Sequence, residues 1–401
     1  MATATKTGMM DVASARQSAS ALEKFLPIVS PEGIRGDEFV SDVRKILASR
    51  RLTNGEYVRE FESAAAKYLG VPHCVAVSSC TTGLLLTLSA LNLNGEVILP
   101  SFTFHATAHA VAWNGLEPVF ADCEPDTFCV CAKAVQERLS PKTAAILAVH
   151  MFGHPASVFE LEEIAVRAGI PVIYDSAHAF GSRVGERHTG TFGTAEVFSF
   201  SPTKLVVAGE GGLVATRDAG LANRLRAARN YGDAGDSDPE VLGLNARMSE
   251  FHAALALRGL EGLEERIERR NQIRLRYETR LGEVPGVSFQ RIRAGNRSTC
   301  KDFQILVDAG AFGRSRDWLL HFLRESNIEA RRYFWPPVHR QKLYRAAWDG
   351  QALPVTDWIS DCVLNLPIYS SLRDEEVDAV CDTILRAAEI AKKRAAAGQG
   401  A

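Results

Sequence analysis

The sequence lacks an excess of either charge. Its 401 residues include 46 Lys and Arg against 48 Asp and Glu, a formal net charge of -2. A nucleic-acid-binding protein normally carries a basic excess, so we do not expect this chain to bind nucleic acid. An anionic ligand would have to be held by a few local cations, because the field of the whole protein is weak.

Long apolar segments are missing as well. No run approaches the ~20 apolar residues that a membrane span needs, and residues 1–20 contain no apolar stretch of the secretory-signal type. We therefore expect residues 1–25 to be a mobile leader of a cytoplasmic protein. The 8 cysteines include no two pairs at zinc-finger spacing, which predicts reduced core thiols and no metal site.

Short apolar runs alternate with helical stretches through the first two-thirds of the chain. The predicted strands cover residues 73–78, 97–100, 118–121, 145–149, 171–174, 196–200 and 212–215. The helical stretches between them include residues 82–91, 106–114 and 158–168. This alternation predicts a mainly parallel sheet covered on both faces. In such sheets functional groups collect at the carboxyl ends of the strands.

The pattern changes after residue 247. Residues 248–281 predict one or two long charged helices. The segments that follow predict strands at 287–289 and 302–307, a helix around 318–326 and a last helix over 374–395. We therefore predict a large domain over residues 26–260 and a smaller α+β domain over residues 261–401.

Two reactive side chains follow neighbouring apolar runs. Asp175 ends the run 171–174, and Lys204 lies between the run 196–200 and the glycine-rich run 209–212. A lysine amine forms an imine with an aldehyde, and a buried carboxylate holds a protonated pyridine nitrogen. Pyridoxal phosphate chemistry requires both groups, so the pair indicates an enzyme that moves amino groups. Taken alone, Asp175 is more typical of a helix N-cap or an ion pair, and Lys204 of a surface loop.

A helix start after the first predicted strand offers an anion site. Residues 77–83, Val-Ser-Ser-Cys-Thr-Thr-Gly, bring hydroxyls and free backbone N–H groups to a helix N-terminus, which suits a phosphate. No Gly-Lys-Ser/Thr follows, so the turn is not a Walker loop, and simple N-capping explains it equally well. Ser199 adds a hydroxyl near Lys204, and Phe104 is placed to lie on a pyridine ring. Taken alone, Phe104 is more typical of the core.

Ten short motifs occur in a fixed order along the chain. They are Leu-Thr-Asn-Gly at 52–55, Phe-Glu at 61–62, Tyr-Leu-Gly at 68–70, Pro-Ser-Phe-Thr-Phe at 100–104, His-Met-Phe-Gly at 150–153, Asp-Ser-Ala-His at 175–178, Ser-Phe-Ser-Pro-Thr-Lys at 199–204, Gly-Glu-Gly-Gly at 209–212, Leu-Asn-Ala-Arg-Met-Ser-Glu at 244–250 and Leu-Pro at 366–367. In these motifs the chain resembles the DegT/DnrJ/EryC1/StrS family of pyridoxal-phosphate-dependent sugar aminotransferases. The resemblance implies the α/β fold type I of aspartate aminotransferase, with a mostly parallel central sheet in the large domain and a smaller C-terminal α+β domain.

The resemblance implies a role for each residue around the cofactor ring. Lys204 would be the Schiff-base lysine and the proton shuttle, and Asp175 would pair with the pyridine nitrogen. His178 would lie near the ring hydroxyl, and Phe104 would stack on the ring.

The resemblance also implies how the cofactor phosphate is bound. Cys80 and Thr81 would donate backbone N–H groups, and Thr81 and Ser199 would add hydroxyls. Asn245 would reach the phosphate of a neighbouring subunit, because the sites of the family lie at a homodimer interface.

Two positions depart from the family pattern. Cys80 replaces a common glycine, which preserves backbone N–H donation if the turn avoids positive φ there. Pro202 replaces an alanine in the lysine loop, where it removes one donor and stiffens the chain. The geometry of both turns is therefore in question.

A narrower resemblance concerns the substrate. Residues 95–113, 118–122 and 330–334 look like the 4-aminotransferases that act on TDP-4-keto-6-deoxyglucose. It implies that L-glutamate leaves its amino group on the cofactor as pyridoxamine phosphate and that the C4 ketone of a nucleotide-linked sugar receives it. The candidate substrate-binding residues, cations for the diphosphate and two groups facing the sugar, are Arg229, Arg247, Arg331, Arg332, Tyr333 and His339.

Other functions remain open at this level. A sugar 3-aminotransferase would carry the same motifs. A pyridoxal-phosphate sugar 3-dehydratase would have histidine in place of Lys204, and a non-catalytic sensor could dispense with Lys204 or Asp175. A nicotinamide oxidoreductase would need Gly-x-Gly-x-x-Gly at the first strand–helix turn, which the sequence does not have.

Overall fold

The computed structural model describes residues 24–32, 36–235, 237–239, 241–346, 348 and 350–398. Nearly all of the predicted leader, residues 1–25, lies outside the described residues. The strands are β1 His73–Val77, β2 Glu96–Pro100, β3 Glu117–Ala121, β4 Thr143–Val149, β5 Val172–Asp175, β6 Arg183–Val184, β7 Arg187–His188, β8 Ala195–Ser199, β9 Gly212–Thr216, β10 Val287–Phe289, β11 Asn296–Arg297, β12 Phe303–Val307 and β13 Val363–Leu366. The α-helices are α1 Gly36–Ser49, α2 Glu56–Leu69, α3 Cys80–Ala90, α4 His105–Trp113, α5 Ala132–Glu137, α6 Val158–Ala168, α7 Ala219–Ala228, α8 Glu250–Leu260, α9 Leu263–Leu281, α10 Ala309–Phe312, α11 Arg316–Glu325, α12 Pro354–Cys362 and α13 Asp374–Gly398.

A seven-stranded sheet forms the centre of the molecule. Its strand order is β1-β9-β8-β5-β4-β2-β3. Only β9 runs antiparallel, to both β1 and β8; the pairs from β8 to β3 are parallel. The strands are buried almost throughout, because helices cover both faces of a parallel sheet. The predicted mostly parallel α/β sheet is therefore confirmed.

The turn between β1 and α3 lies at the carboxyl edge of this sheet. Ser79 caps α3 by accepting a hydrogen bond from the Thr82 backbone N–H at 3.1 Å, and the Thr82 hydroxyl accepts one from the Ser79 N–H at 3.0 Å. This capping box fixes the direction in which the chain enters the helix. Gly212 opens β9 directly against this turn, where a Cβ would collide with the Ser79 backbone. The glycine therefore allows the close approach that brings β9 beside the start of α3.

The C-terminal part of the chain has its own core. The antiparallel sheet β10-β12-β13 packs with α9, α11 and α13. Residues 250–281 form two helices, and the break between them is at Gly262, whose φ is +68°. The predicted domain boundary near residue 260 coincides with this break and stays a prediction. Leu26, near the other end of the chain, forms a bridge with Ile328 and packs in the same core.

The described residues include no helix that is both long and apolar enough to cross a membrane. The 8 cysteines are free, as the sequence predicts, and most of them are buried.

Candidate active site

A cavity of about 300 Å³ opens at the carboxyl edge of the central sheet. One wall comes from the sheet and the loops after its strands, and the other from the C-terminal part of the chain. Most of the residues selected from the sequence line it: Cys80, Thr81, Phe104, Asp175, His178, Ser199, Lys204 and Tyr333. These residues come from the ends of β2, β5 and β8, the start of α3 and two loops, so the parallel topology brings them together.

Asp175 is the last residue of β5 and is buried. Its Oδ2 accepts a hydrogen bond from the Thr107 hydroxyl at 2.8 Å, and its Oδ1 accepts one from the Ala177 backbone N–H at 3.1 Å. The Cys80 Sγ lies 3.9 Å from Oδ1. Burial raises the pKa of the Asp175 carboxyl above its ordinary value, against these hydrogen bonds. A cationic partner facing the cavity would stabilise the carboxylate, which is what a protonated pyridine nitrogen provides.

Lys204 lies in the loop between β8 and β9 and lines the same cavity as Asp175. Desolvation lowers the pKa of its amine to about 8, and the positive charge of Lys301 acts in the same direction. A larger fraction of the amine is therefore unprotonated near neutral pH than in a solvated lysine, and the unprotonated amine is the form that reacts with an aldehyde.

Pro202 fits the turn that carries Lys204. The Lys204 backbone N–H donates to the Ser201 carbonyl at 3.0 Å, which closes a β-turn with Pro202 at its second position. Proline is favoured at that position because its fixed φ matches the turn. The departure from the family pattern is thus compatible with this turn.

The start of α3 presents backbone donors to the cavity. Cys80, Thr81 and Ser199 line it. Cys80 is the first residue of α3, and its φ is not positive. The substitution of glycine by cysteine therefore leaves the backbone N–H direction intact. A helix N-terminus with neighbouring hydroxyls is suited to an anion.

Two aromatic rings, which also contact each other, lie beside His178. The ring of Phe152 is 6.1 Å away and that of Phe334 is 6.5 Å away, both nearly parallel to the imidazole. Burial and the charge of Lys204 hold the pKa of His178 well below its ordinary value, so the ring is neutral. Its buried Nδ1 has no hydrogen-bond partner in the described structure. Phe104 lines the cavity and is 50% exposed, so one of its surfaces is free to contact a ligand.

Asn245 and Arg247 are not among the residues that line the cavity. Asn245 is exposed and forms a bridge with Asn230, so its action on a second subunit stays a prediction. Arg247 donates to the Asn230 side chain at 2.5 Å and lies over the Tyr231 ring at 5.2 Å. The structure does not bring either side chain to the cavity of the same chain.

Arg229 and His339 are held in other parts of the core. Arg229 is buried and donates to Glu62 at 2.5 Å, so its charge is neutralised there and is not available to a diphosphate. His339 is buried outside the cavity lining, with Nδ1 2.7 Å from the Ser101 hydroxyl and Nε2 3.2 Å from Asp357. Both side chains are therefore held by structural contacts, and a local sequence motif does not reveal such contacts.

Tyr333 is brought to the cavity with support from Arg331. The Arg331 guanidinium donates to the Tyr333 hydroxyl at 2.6 Å and pairs with Glu329 at 2.6 Å. Arg332 points elsewhere: it pairs with Asp317 at 3.2 Å and lies over the Trp335 ring at 4.1 Å.

Three lining or supporting residues escaped the sequence analysis. Thr107 supports Asp175, and its hydroxyl lies 3.0 Å from that of Thr103. Thr107 lies in the first turn of α4, whereas Thr103 precedes the helix, so helical spacing gave no signal for this pair. Lys301 and Asp302 also line the cavity, and nothing in their local sequence marks them.

The residues present fit pyridoxal phosphate. Among the described residues, the Asp175 carboxylate has no ion-pair partner and the His178 Nδ1 has no hydrogen-bond partner. These two groups, a reactive lysine and a helix N-terminus surround one cavity of suitable size. The model of the DegT/DnrJ/EryC1/StrS aminotransferase family matches residues 34–385.

The chain belongs to this family. It is 34% identical over 369 residues to the dTDP-4-amino-4,6-dideoxy-D-glucose transaminase of Escherichia coli, a match that covers 90% of this chain and 99% of the relative. The crystal structure of DesI, analysed in the presence of its TDP-sugar product, superposes with a TM-score of 0.90 at 35% identity and covers 96% of this chain and 99% of that one.

A third structure concerns the cofactor. NtdA from Bacillus subtilis, solved with bound pyridoxamine phosphate, has a TM-score of 0.81 at 26% identity and covers 89% of this chain and 83% of that one. The family member described here is a transaminase of fold type I, and its cofactor is pyridoxal phosphate.

Proposed function

We propose that this transaminase moves an amino group from L-glutamate to the C4 ketone of a nucleotide-linked 4-keto-6-deoxy sugar, in the biosynthesis of a deoxyaminosugar of a natural product such as an antibiotic. The observation that carries the proposal is the meeting of Lys204 and Asp175 in one cavity. The C4 position and the dTDP carrier follow from the E. coli relative and from DesI, whose names specify a 4-amino sugar and a TDP-sugar.

In this proposal, each residue of the sheet side has one task. When bound, pyridoxal phosphate supplies a ring that accepts electrons and carries the amino group between the two substrates. Lys204 removes a proton from the reacting carbon of the donor and delivers one to the sugar carbon, a task that contributes ~10²–10⁴-fold to the rate. Asp175 accepts a hydrogen bond from the ring N–H and keeps it protonated. His178 hydrogen-bonds the ring hydroxyl, and Phe104 covers the ring.

The remaining tasks are phosphate and sugar binding. Cys80, Thr81 and Ser199 bind the cofactor phosphate through the α3 N-terminus and two hydroxyls. Tyr333, oriented by Arg331, contacts the sugar. The 3-dehydratase alternative is disfavoured because Lys204 stands where a dehydratase has histidine.

We also propose that the protein forms a homodimer in the cytoplasm. In this dimer, Asn245 and Arg247 act on the active site of the other subunit. The exposure of Asn245 supports this, as does the exposure of the neighbouring Tyr231, Leu242 and Leu244, which are 55%, 85% and 44% accessible. Exposed apolar side chains in one loop are typical of an interface.

A substrate panel tests the reaction. Purified protein loaded with pyridoxal phosphate is given L-glutamate, and the visible absorption of the cofactor is followed; nucleotide keto-sugars are then added and the products are identified by NMR. We expect loss of the aldehyde-form absorption with glutamate and an amine at C4 of the sugar. An amine at C3 would make the enzyme a 3-aminotransferase and contradict the proposal.

Mixing two inactive variants tests the shared site. Lys204→Ala and Asn245→Ala are each expected to be impaired, and a heterodimer of the two has one site with both residues intact. Activity should return on mixing under subunit exchange. If the mixture stays as inactive as its parts while heterodimers are detected by mass, Asn245 acts within its own chain.

A further inference from the structure

The cavity contains a second buried lysine. Lys301 has its Nζ 2.7 Å from the Asp302 carboxylate, and both side chains are almost inaccessible. Both residues line the main cavity, and Lys301 also lines a small cleft beside Lys204 and His178. Burying an ion pair costs desolvation free energy, so a buried pair beside a reactive amine suggests a use in the reaction.

The lining of the small cleft shows on which side the pair lies. Lys301, Lys204 and His178 line this cleft together, and Asp175 is not among its lining residues. The positive charges of both lysines also lower the pKa of His178. Lys301 therefore lies on the His178 side of the cavity and not beside the carboxylate proposed for the ring nitrogen.

The backbone of Lys301 is held firmly. Its N–H donates to the Phe152 carbonyl at 3.0 Å. The fully buried Arg270 donates to the Lys301 and Cys300 carbonyls at 3.1 and 3.2 Å. An ammonium group held in this way is preorganised, which favours binding of an anion without further ordering of the chain.

The chemistry of the donor identifies the anion. Among the described residues that line the main cavity, Lys204 and Lys301 are the two lysines, and no arginine is present. In the proposed function Lys204 transfers the proton at the reacting carbon, so it is not available to bind the anion. Every α-amino acid carries a carboxylate directly on that carbon, so a cation next to Lys204 is placed for it.

We propose that Lys301 binds the α-carboxylate of the amino donor, with Asp302 orienting its ammonium group. A keto-sugar has no carboxylate at this position, so Lys301 serves the donor half-reaction and not the acceptor half-reaction. The inference rests on the proposed function in taking the donor to be an amino acid. It does not depend on which sugar is the acceptor.

The test separates the two half-reactions. The double variant Lys301→Met with Asp302→Asn removes both charges together, so that neither is left buried and unpaired. We expect the glutamate concentration for half-maximal conversion of the aldehyde form to rise roughly 10- to 100-fold, the loss expected for a charge-assisted hydrogen bond. The reaction of the pyridoxamine form with the keto-sugar should change little.

Two further variants serve as controls. Lys301→Arg keeps the positive charge and should retain part of the donor binding that the double variant loses. Lys142→Met, at an exposed lysine, should behave like the unaltered enzyme.

A binding measurement provides a second readout. α-Methyl-L-glutamate keeps the α-carboxylate but has no α-proton to transfer, so calorimetry reports its binding to the loaded enzyme without turnover. Weaker binding to the double variant supports the proposal even if no nucleotide sugar is aminated, in which case only the acceptor is wrong. Equal binding to both proteins, or an equal loss in the two half-reactions, overturns it.

Discussion

The two walls of the cavity are built by different means. The sheet wall comprises the start of α3, Asp175, Ser199 and Lys204, and it is positioned by strand ends and short turns. The C-terminal wall comprises Lys301, Asp302, Tyr333 and Phe334, and its charged and polar members are positioned by side-chain pairs such as Lys301–Asp302 and Arg331–Tyr333.

The two walls are therefore suited to different tasks in the reaction. A residue at the end of a parallel strand is fixed by the register of the whole sheet, so the sheet wall offers constant geometry for the steps shared by both substrates. A residue fixed by a side-chain pair is replaced without disturbing the sheet. The C-terminal wall is therefore the part in which substrate preference can vary while the chemistry of the sheet wall is retained.

The largest expected effect is that of removing the amine from the sheet wall. Lys204→Ala should lower the rate of both half-reactions by ~10²–10⁴-fold, because no other group in the proposal moves the proton. Single-turnover absorbance with glutamate, and separately with the keto-sugar, measures each step. Lys142→Ala is the matched control. Loss in one half-reaction only would mean that the sheet wall does not serve both substrates.

The next effect concerns the support of the C-terminal wall. Arg270 is fully buried and lies 3.3 Å from Glu32. It also donates hydrogen bonds to the backbone carbonyls of Cys300 and Lys301. Arg270→Met leaves the buried Glu32 carboxylate without its cationic partner, so the free energy of unfolding should fall by about 3–5 kcal/mol.

Denaturant unfolding measures this change. Arg167→Met is the control, because Arg167 pairs with Glu163 at 2.7 Å in an exposed position, where such a pair contributes at most about 1 kcal/mol. Equal losses for the two variants would show that the C-terminal wall does not depend on its buried pair.

The contrast between the walls also explains what could be predicted from the sequence. Strand ends carry a local signal, an apolar run followed by a polar residue, and Asp175 and Lys204 were found from it. The sequence leaves the geometry of the Pro202 turn in question, and the hydrogen bond that closes the turn is seen only in the structure. The parallel topology then places such residues at one edge.

The C-terminal wall carried no comparable signal. Arg270 and Glu32 are 238 residues apart, and Lys301–Asp302 is an ordinary charged dipeptide until the fold buries it. His339 and Arg229 show the converse: a histidine or arginine near a motif is a reasonable candidate, but partners distant in the sequence, Ser101 and Glu62, hold them elsewhere. Long-range pairing is therefore the information that local patterns lack.

A smaller effect concerns the charge of Lys204 in the cofactor-free protein. The pKa of Lys204 is lowered from 10.5 to about 8 by burial. Between these values the unfolded chain binds more protons than the folded one. The free energy of unfolding should therefore rise by at most about 1.4 kcal/mol per pH unit between about pH 8 and 10.5, and Lys204 should cause no change with pH below that window. Unfolding of the cofactor-free protein and of its Lys204→Met variant, at a series of pH values, gives the difference that isolates this group. A constant difference would mean that Lys204 is solvated, unlike the rest of the sheet wall.

The smallest expected effect concerns a single hydroxyl of the C-terminal wall. Tyr333→Phe removes the acceptor of the Arg331 hydrogen bond at 2.6 Å but keeps the ring that lines the cavity. A hydrogen bond of this kind contributes about 0.5–1.5 kcal/mol net, so KM for the keto-sugar should rise roughly 2- to 10-fold while kcat stays level. The donor half-reaction is the internal control, because Tyr333 is assigned to the sugar and Lys301 to the donor carboxylate. A drop in kcat with both substrates would place Tyr333 among the groups that act on the shared chemistry, and the division of labour between the two walls would then fail at this residue.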